Sequence, residues 1–483
     1  MLEFIKNHIW QILIVFNYAL ALSAVATILL KKLNPTKALS YIIGLLALPF
    51  LGLIVYYLFG QEYRKTKIFS RKNVLNQTII KKIQDQLELD TKEINEVDDL
   101  LDQKSKLIPL LYNSEKSKLT INNEVKLIKN GDDKFKLLFK DIKEAKDHIH
   151  LEYFVIQDDQ IGTELLNLLC EKSREGLEIR IVIDDVGSSI SSKMKRKIKD
   201  CGIQMHSFMP VLFSKFTGQM NYRDHRKITV IDGKIGYVGG INVSDHYVNA
   251  NNDRYWRDTH IRLVGEAVKP LQILFFTTWD FVSDDGLEIS KSYFPDHDCK
   301  ENVPLQIAAS GPDTDWSNIM EAIFVAITNA EDHVYITTPY FIPNSEILTA
   351  LQVIARSNIE VKIIVPKTSD SWIAEYATNS YLEMLLEAGV EVYHYTKGFV
   401  HAKTMVVDGV FSTVGTTNMD YRSFNINFEV NALIYSKKIS SELTAFFNED
   451  LKDCEKLELQ SWKKRSKRTK IIEAIARLMA PLL

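Results

Sequence analysis

Twice along the chain, apolar and β-branched residues alternate with polar ones into an Asp-Gly pair and out again. The first copy is NYRDHRKITVIDGKIGYVGGIN, Asn221–Asn242, and the second FVHAKTMVVDGVFSTVGTTN, Phe399–Asn418. Period-two alternation around Asp232-Gly233 and Asp408-Gly409 predicts a β-hairpin in each copy. Side chains two apart on a strand share a face, so His225 and Lys227 point the same way roughly 7 Å apart, as do His401 and Lys403. Ile228 and Val230, with their counterparts Thr404 and Val406, face the other side.

The hairpins belong to a larger repeat. Residues Ala145–Phe154 are echoed by Ala330–Phe341, Gly176–Ile183 by Asn358–Val365, and Gly202–Met205 by Gly389–Val392. Each echo reads as helix, strand, helix, strand, which predicts α/β layers with buried sheets. The fold class expected is therefore α/β, with two sandwich halves at 114–290 and 291–455 related by a pseudo-two-fold axis. Such an axis sets the two His-Lys hairpins face to face across a cleft.

Ahead of the repeat, Ile9–Leu30 and Ala38–Gly60 hold no Lys, Arg, Asp or Glu. Each is long enough to cross a hydrocarbon core of roughly 30 Å, so residues 1–60 read as an anchor of two transmembrane helices. A signal peptide ending near Ala24-Val25-Ala26 is disfavoured, because a second uncharged stretch follows at once. A hairpin that enters the bilayer without crossing stays open. The loop carries Lys31, Lys32 and Lys37, whereas Arg64, Lys65, Lys67, Arg71 and Lys72 follow the second stretch. That bias places both termini and the catalytic body in the cytoplasm. Residues 61–113 form a charged connector, with Ile and Leu at helical spacing between Asn73 and Asp102. The segment 456–483 puts a basic run before an amphipathic helix, the pattern of a tail that lies on an anionic membrane surface.

Composition narrows the function classes. The 483 residues, 46% hydrophobic, allow two or three domains with a large core. A net charge of −3 gives no basic footprint for nucleic acid. Cys170, Cys201, Cys299 and Cys454 have no C-x-x-C spacing and read as reduced thiols, neither a disulfide frame nor a zinc site. No Walker loop or G-x-S-x-G occurs, and no metal or other cofactor is expected.

A duplicated imidazole, ammonium and amide suit a phosphodiester whose charge is held while one oxygen is exchanged for another. H-x-K-x4-D followed by x6-G-[GST]-x-N, twice, resembles the signature of the phospholipase D superfamily. RDHRKITVIDG, GGINVSDHY, YWRDTHIRLVG and GTTNMDYRSFNINFEVNALIY are similar to bacterial cardiolipin synthases of that type, over essentially the whole chain. The one departure is Gly-Gly at 239–240, where Gly-Ser or Gly-Thr is usual.

The residues suggest their roles. One imidazole attacks phosphorus while the other, protonated, serves the leaving alkoxide. The resemblance makes His225 the nucleophile and His401 the acid/base; the sequence itself is nearly symmetric and does not choose. Lys227, Lys403, Asn242 and Asn418 are expected to hold the non-bridging oxygens, the two Asn from helix starts that leave N–H groups for an anion. Asp232 and Asp408 complete the motif and are counted with the catalytic set, although a place at the turn favours an orienting or purely structural role. Asp258 in YWRDTH and Glu429 in NFEVN are better candidates to hold the ring nitrogens.

For substrate, the uncharged N-terminal stretches argue for a lipid, and the apolar SFMPVLFSKFTGQM, Ser207–Met220, reads as a lip toward acyl chains or as core. The resemblance implies that phosphatidyl passes from one phosphatidylglycerol to another, giving cardiolipin and glycerol. A hydrolase, a phosphatidylserine synthase-like transferase and a nuclease share the superfamily; missing basic charge disfavours the last. A silent membrane scaffold is disfavoured because both motifs are intact.

Overall fold

The computed structural model describes residues 2–30, 35–48, 50–59, 74, 78–87, 97, 106–209, 222–252, 254–283, 288–297 and 299–480. The chain separates into two compact units, residues 1–63 with 209–222, and residues 64–208 with 223–483.

In the smaller unit a helix runs from Leu2 to Leu30, kinked at His8. From His8 it is 23 residues long with a mean hydropathy of 2.3, enough to cross a membrane. The second expected span is not one helix. Pro35–Ala47 and Leu51–Phe59 are separate helices of 13 and 9 residues, each short of the roughly 20 that a crossing needs. The sequence carries Pro49 between them, and a proline ring removes an N–H and clashes with the preceding turn. Phe50 at the break has a φ of 63°, and its N–H donates to Asn17 Oδ1 of the first helix at 2.9 Å. A Cβ on Gly52 would meet the Gly44 carbonyl oxygen at 2.3 Å, so only glycine allows this packing. Among the described residues one helix is therefore long and apolar enough to span, and the second of the two expected transmembrane helices is not confirmed.

The larger unit holds two sheets of matching topology. The first runs Asn123–Lys129, Thr259–Gly265, Ile235–Gly239, Lys227–Ile231, His148–Tyr153, Glu178–Asp184, Gln204–Phe208. The second runs Leu305–Ser310, Glu429–Tyr435, Phe411–Gly415, Thr404–Val407, His333–Thr337, Glu360–Pro366, Glu391–Tyr395, and adds Cys454–Lys456 at its edge. In each, four antiparallel pairings lead into three parallel strands joined by helices, Gln160–Arg174 and Ser192–Asp200 in one half, Ser345–Arg356 and Trp372–Glu387 in the other. The expected α/β halves are thus present. Ile228, Val230, Val238 and Ile261 of one sheet share a buried core with Val406, Val414, Val430 and Ile434 of the other. Burial of both faces explains why these strands are so rich in Val and Ile.

Each hairpin turns on two residues in the left-handed region, Asp232 and Gly233 (φ 53° and 61°), then Asp408 and Gly409 (51° and 64°). That is the type I′ geometry Asp-Gly favours. Lys227 pairs with Tyr153 and Thr404 with Thr337, so both histidines lie beyond the C-terminal ends of the parallel strands. Ligands of open α/β sheets bind at that end.

Cys170 and Cys201 are joined as a disulfide, their Cα atoms 5.4 Å apart, which corrects the reading of all four cysteines as thiols. Thirty-one positions separate them, and only the packing of two helix ends brings them together. Cys299 and Cys454 form no disulfide among the described residues. Of the connector, Thr78–Gln86 is helical and most of the rest lies outside the described residues, as does the expected lip from 210 onward. The tail forms helices Leu459–Lys463 and Lys467–Leu478.

Candidate active site

The two halves exchange residues at their junction. Gly398–Val400 pairs in parallel with Tyr255–Arg257, and Asp224 bridges to Phe428. The His225 N–H donates to the Phe428 carbonyl at 3.0 Å, and the His401 N–H to the Arg257 carbonyl at 2.7 Å. The next residue in each partner strand supplies a carboxylate. Glu429 lies with both oxygens 3.0 Å from His225 Nδ1, and Asp258 Oδ2 lies 2.7 Å from His401 Nδ1. Each histidine is therefore gripped at backbone and ring by two consecutive residues of the opposite half. A carboxylate on Nδ1 keeps the proton there and leaves Nε2 with its lone pair. Among the described residues, neither Nε2 makes a hydrogen bond.

Both rings are buried, at 8% and 7% exposure. Burial pushes the His225 ring down to about 4, against the pull of Glu429, with Lys227 adding to the fall. His401 is lowered as well, by burial and Lys403, with Asp258 opposing. Burial drives Glu429 up, but His225, Lys227 and Thr416 hold it below the usual carboxylate value. Lys227 and Lys403 are buried beside them, and each Nζ donates to its own histidine's carbonyl at 2.6 Å. An ammonium has three N–H donors, so two remain on each. Burial and mutual repulsion push Lys227 down to about 7, and burial pushes Lys403 to about 8. Burial is the main cause at both lysines, and an anionic phosphodiester beside them would favour their ammonium forms.

Asp232 and Asp408 do not touch these groups and lie at the hairpin turns, where the sequence favoured an orienting or structural role. Asp232 accepts the N–H groups of Lys146, Asp147 and His148 at 2.8 to 3.2 Å, and Asp408 those of Glu331, Asp332 and His333 at 2.8 to 2.9 Å. Each ties its hairpin turn to the start of the neighbouring strand. The asparagines also differ from expectation, for no helix begins at either. Asn242 accepts the Val155 N–H at 3.2 Å and donates to the Tyr247 hydroxyl at 2.6 Å, committing both ends of its amide to the protein. Asn418 is buried before the short strand Met419–Asp420; its Oδ1 has no hydrogen-bond partner, and its side chain bonds to Asp420.

Sequence reasoning proposed Asp258 and Glu429 but not their exchange between halves. It noted the residue after the motif glycine only as a departure and gave it no role. Thr416 donates its hydroxyl to Glu429 at 2.5 Å. At the matching position a Cβ on Gly240 would lie 2.1 Å from Asp258 Oδ1. The Gly-Gly departure is therefore steric: the shorter acid comes closer to the backbone and leaves no room for a side chain. Aromatic walls were missed too. Phe154 meets His225 edge-on with centroids 5.2 Å apart, while Tyr247, Trp256 and Phe399 surround His401 at 5.6 to 5.8 Å. Beneath His225, Arg226 pairs with buried Glu152 at 3.4 Å and with Thr278 at 3.2 Å.

A family model described as cardiolipin synthase, phospholipase D-like domain, matches residues 138–272 and 323–451, more than half of the chain. A second, described as phospholipase D-nuclease N-terminal, matches 19–61. The major cardiolipin synthase of Bacillus subtilis (strain 168) is 38% identical over 96% of this chain and 97% of its own length. A cardiolipin synthase of Geobacillus sp. (strain WCH70) is 35% identical over 99% and 96%. Among solved structures, phosphatidylserine synthase from Haemophilus influenzae Rd KW20 superposes with a TM-score of 0.62 at 13% identity, covering 79% of this chain and all of its own. That likeness concerns the fold.

Proposed function

The chain belongs to the cardiolipin synthase family of phospholipase D-like phosphatidyltransferases, and on that premise we propose that the paired histidines move a phosphatidyl group between two phosphatidylglycerol molecules. The observation that carries the proposal is the reciprocal grip: each imidazole has a carboxylate of the other half on Nδ1, and Nε2 has no hydrogen bond among the described residues.

In the first step His225 Nε2 attacks phosphorus, the N–P bond forms, and the bond to the glycerol headgroup breaks. His225 is neutral across the physiological range, as a nucleophile must be. The leaving alkoxide takes a proton from His401 and departs as glycerol. An anion entering beside His401 raises its proton affinity, and Asp258 stabilises the imidazolium. Lys227 and Lys403 bear the charge of the non-bridging oxygens, which the phosphoryl group spreads in the transition state. In the second step His401 removes the proton from the hydroxyl of the second phosphatidylglycerol. The new O–P bond forms as the N–P bond breaks, giving cardiolipin and the free enzyme. One phosphodiester replaces another, so the exchange is nearly balanced and calls for no nucleotide. Asn418 is assigned to a non-bridging oxygen, and Asn242 to holding Tyr247 beside His401.

In this reading the N-terminal helix anchors the chain at the membrane that contains its substrate, and the Lys and Arg cluster at 64–72 supports a cytoplasmic catalytic unit. The Cys170–Cys201 bond takes away the support that free thiols would have given, so the basic flanks alone carry the assignment.

Incubation of the purified full chain with phosphatidylglycerol alone tests the reaction, with lipids and glycerol followed by mass spectrometry. Cardiolipin and glycerol in equal amounts are expected; phosphatidic acid in place of cardiolipin would make the protein a hydrolase.

A further inference from the structure

The C-terminal helix Lys467–Leu478 presents an apolar stripe that nothing among the described residues covers. Ile471, Ile475 and Leu478 are 60%, 59% and 79% exposed, and Met479 continues the row. The spacing of four, three and one is that of one helix face. The opposite face is fixed. Ala476 and Ala480 pack on Ala374 and Ala377 of the helix Trp372–Glu387, Lys470 pairs with Glu383 at 3.1 Å, and Lys463 with Glu387 at 2.6 Å. The two helices therefore run antiparallel, and the end carrying Leu478 lies beside the start of the other helix, where Trp372 is 67% exposed.

That end lies on the side of the sheet that carries the candidate active site. Trp372 follows the C-terminal end of the parallel strand Glu360–Pro366, at the edge of the sheet where His401 sits. Two residues before it, Asp370 accepts the Tyr340 hydroxyl at 2.7 Å; the Tyr340 ring lies 6.5 Å from Phe399, and Phe399 lies 5.8 Å from His401. A rigid path of side chains thus joins the exposed apolar face to the candidate active site. Lys467 and Arg468 stand one turn ahead of the stripe on the same helix face, Lys464 lies just before the helix and Arg477 on its flank; all four are exposed, and none has an ion-pair partner among the described residues.

We propose that Trp372, Ile471, Ile475, Leu478 and Met479 form a second membrane contact, separate from the N-terminal anchor, which inserts into an anionic leaflet and sets that side of the sheet at the headgroup level. Charge selects the occupant: apolar side chains bordered by unpaired cations match acyl chains beneath anionic headgroups, the composition of an interfacial helix. The Ala-Ala packing holds this helix in a fixed orientation, so the contact orients the catalytic unit where a mobile tail would only tether it.

The test uses the full chain with Cys299→Ser and Cys454→Ser and an environment-sensitive fluorophore on Leu478→Cys, reconstituted in vesicles. With one-third phosphatidylglycerol the emission shifts to the blue and is quenched at least twofold by lipids carrying bromine in the acyl chains, as expected for insertion roughly 5–10 Å below the headgroups. Lys464→Glu, Lys467→Glu and Arg468→Glu together abolish both effects. A blue shift that follows protein concentration and resists the lipid quencher would identify a second copy of the chain as the occupant and overturn the proposal, as would an unshifted spectrum. The readout does not depend on turnover, so it stands or falls apart from the reaction proposed above. As a second arm, Ile471→Asp with Ile475→Asp, both on the exposed face, lowers turnover of vesicle lipid at least tenfold and leaves turnover in mixed micelles within twofold. Equal loss in both would contradict the proposal.

Discussion

Replacing Glu429 by Gln isolates the role of the exchanged carboxylates, because the change keeps shape and removes one charge. Glu429 is fully buried and accepts from His225 Nδ1, from the Thr416 hydroxyl and from the Asn427 amide at 3.4 Å. When Nε2 bonds to phosphorus the His225 ring becomes cationic, and a carboxylate beside Nδ1 stabilises that charge. Two unit charges about 4 Å apart at an effective dielectric near 20 attract by about 4 kcal/mol, so losing the charge should slow formation of the covalent intermediate about 10³-fold. The assay is a rapid quench with phosphatidylglycerol labelled at phosphorus, which counts protein-bound label against time, with the melting temperature as a control for folding. A folded Glu429→Gln protein that forms the intermediate within threefold of the parent rate would refute the reasoning.

The remaining predictions concern separate parts of the molecule. His225→Ala or His401→Ala abolishes turnover while the circular dichroism spectrum is unchanged; activity retained in either would end the two-histidine scheme. Asp232→Ala removes the acceptor shared by three N–H groups at the start of the neighbouring strand and lowers stability by about 1–3 kcal/mol, read as a drop in melting temperature, with kcat per folded molecule unchanged; a large loss of kcat at full stability would place Asp232 in the chemistry. Burial lowers the proton affinity of Lys227, so its ammonium is present below about 7 and lost above, while His225 loses its free Nε2 as pH falls through about 4. Accordingly kcat/KM falls on either side of that window, and an alkaline limb first appearing near pH 10 would contradict the assignment. Gly240→Ala drives a methyl group into Asp258 and cuts activity strongly, whereas Thr416→Ser keeps the hydroxyl that Glu429 uses and is tolerated; comparison of the two rates checks the steric account.

The parts legible in the sequence were those set by local periodicity. Alternation into Asp-Gly marked both hairpins, and repetition of strand-sized apolar runs marked two equivalent halves, because a buried sheet writes its pattern into consecutive residues. His225, Lys227, His401 and Lys403 followed from one spacing repeated ahead of both hairpins. What could not be read depends on contacts between distant segments. Glu429 lies 204 positions from His225 and Asp258 lies 143 from His401, so their exchange across the halves leaves no local trace. The Cys170–Cys201 bond and the Gly240 contact with Asp258 are of the same kind. The broken helix at Pro49 is different: the proline was visible, but a charge-free stretch of sufficient length outweighed it. Asp232 and Asp408 were read ambiguously because a repeated spacing to a histidine has the same appearance whether the acid serves chemistry or a turn.

The most direct test of the central claim is to trap the covalent intermediate. The full chain is mixed with phosphatidylglycerol, quenched under base, digested and analysed by mass spectrometry, alone and as Glu429→Gln. The account predicts a phosphatidyl or phosphoryl group on His225, sharply reduced in the variant, and chased into cardiolipin when more phosphatidylglycerol is added. Label on His401 alone, or turnover to cardiolipin with no histidine adduct at any time, would contradict it.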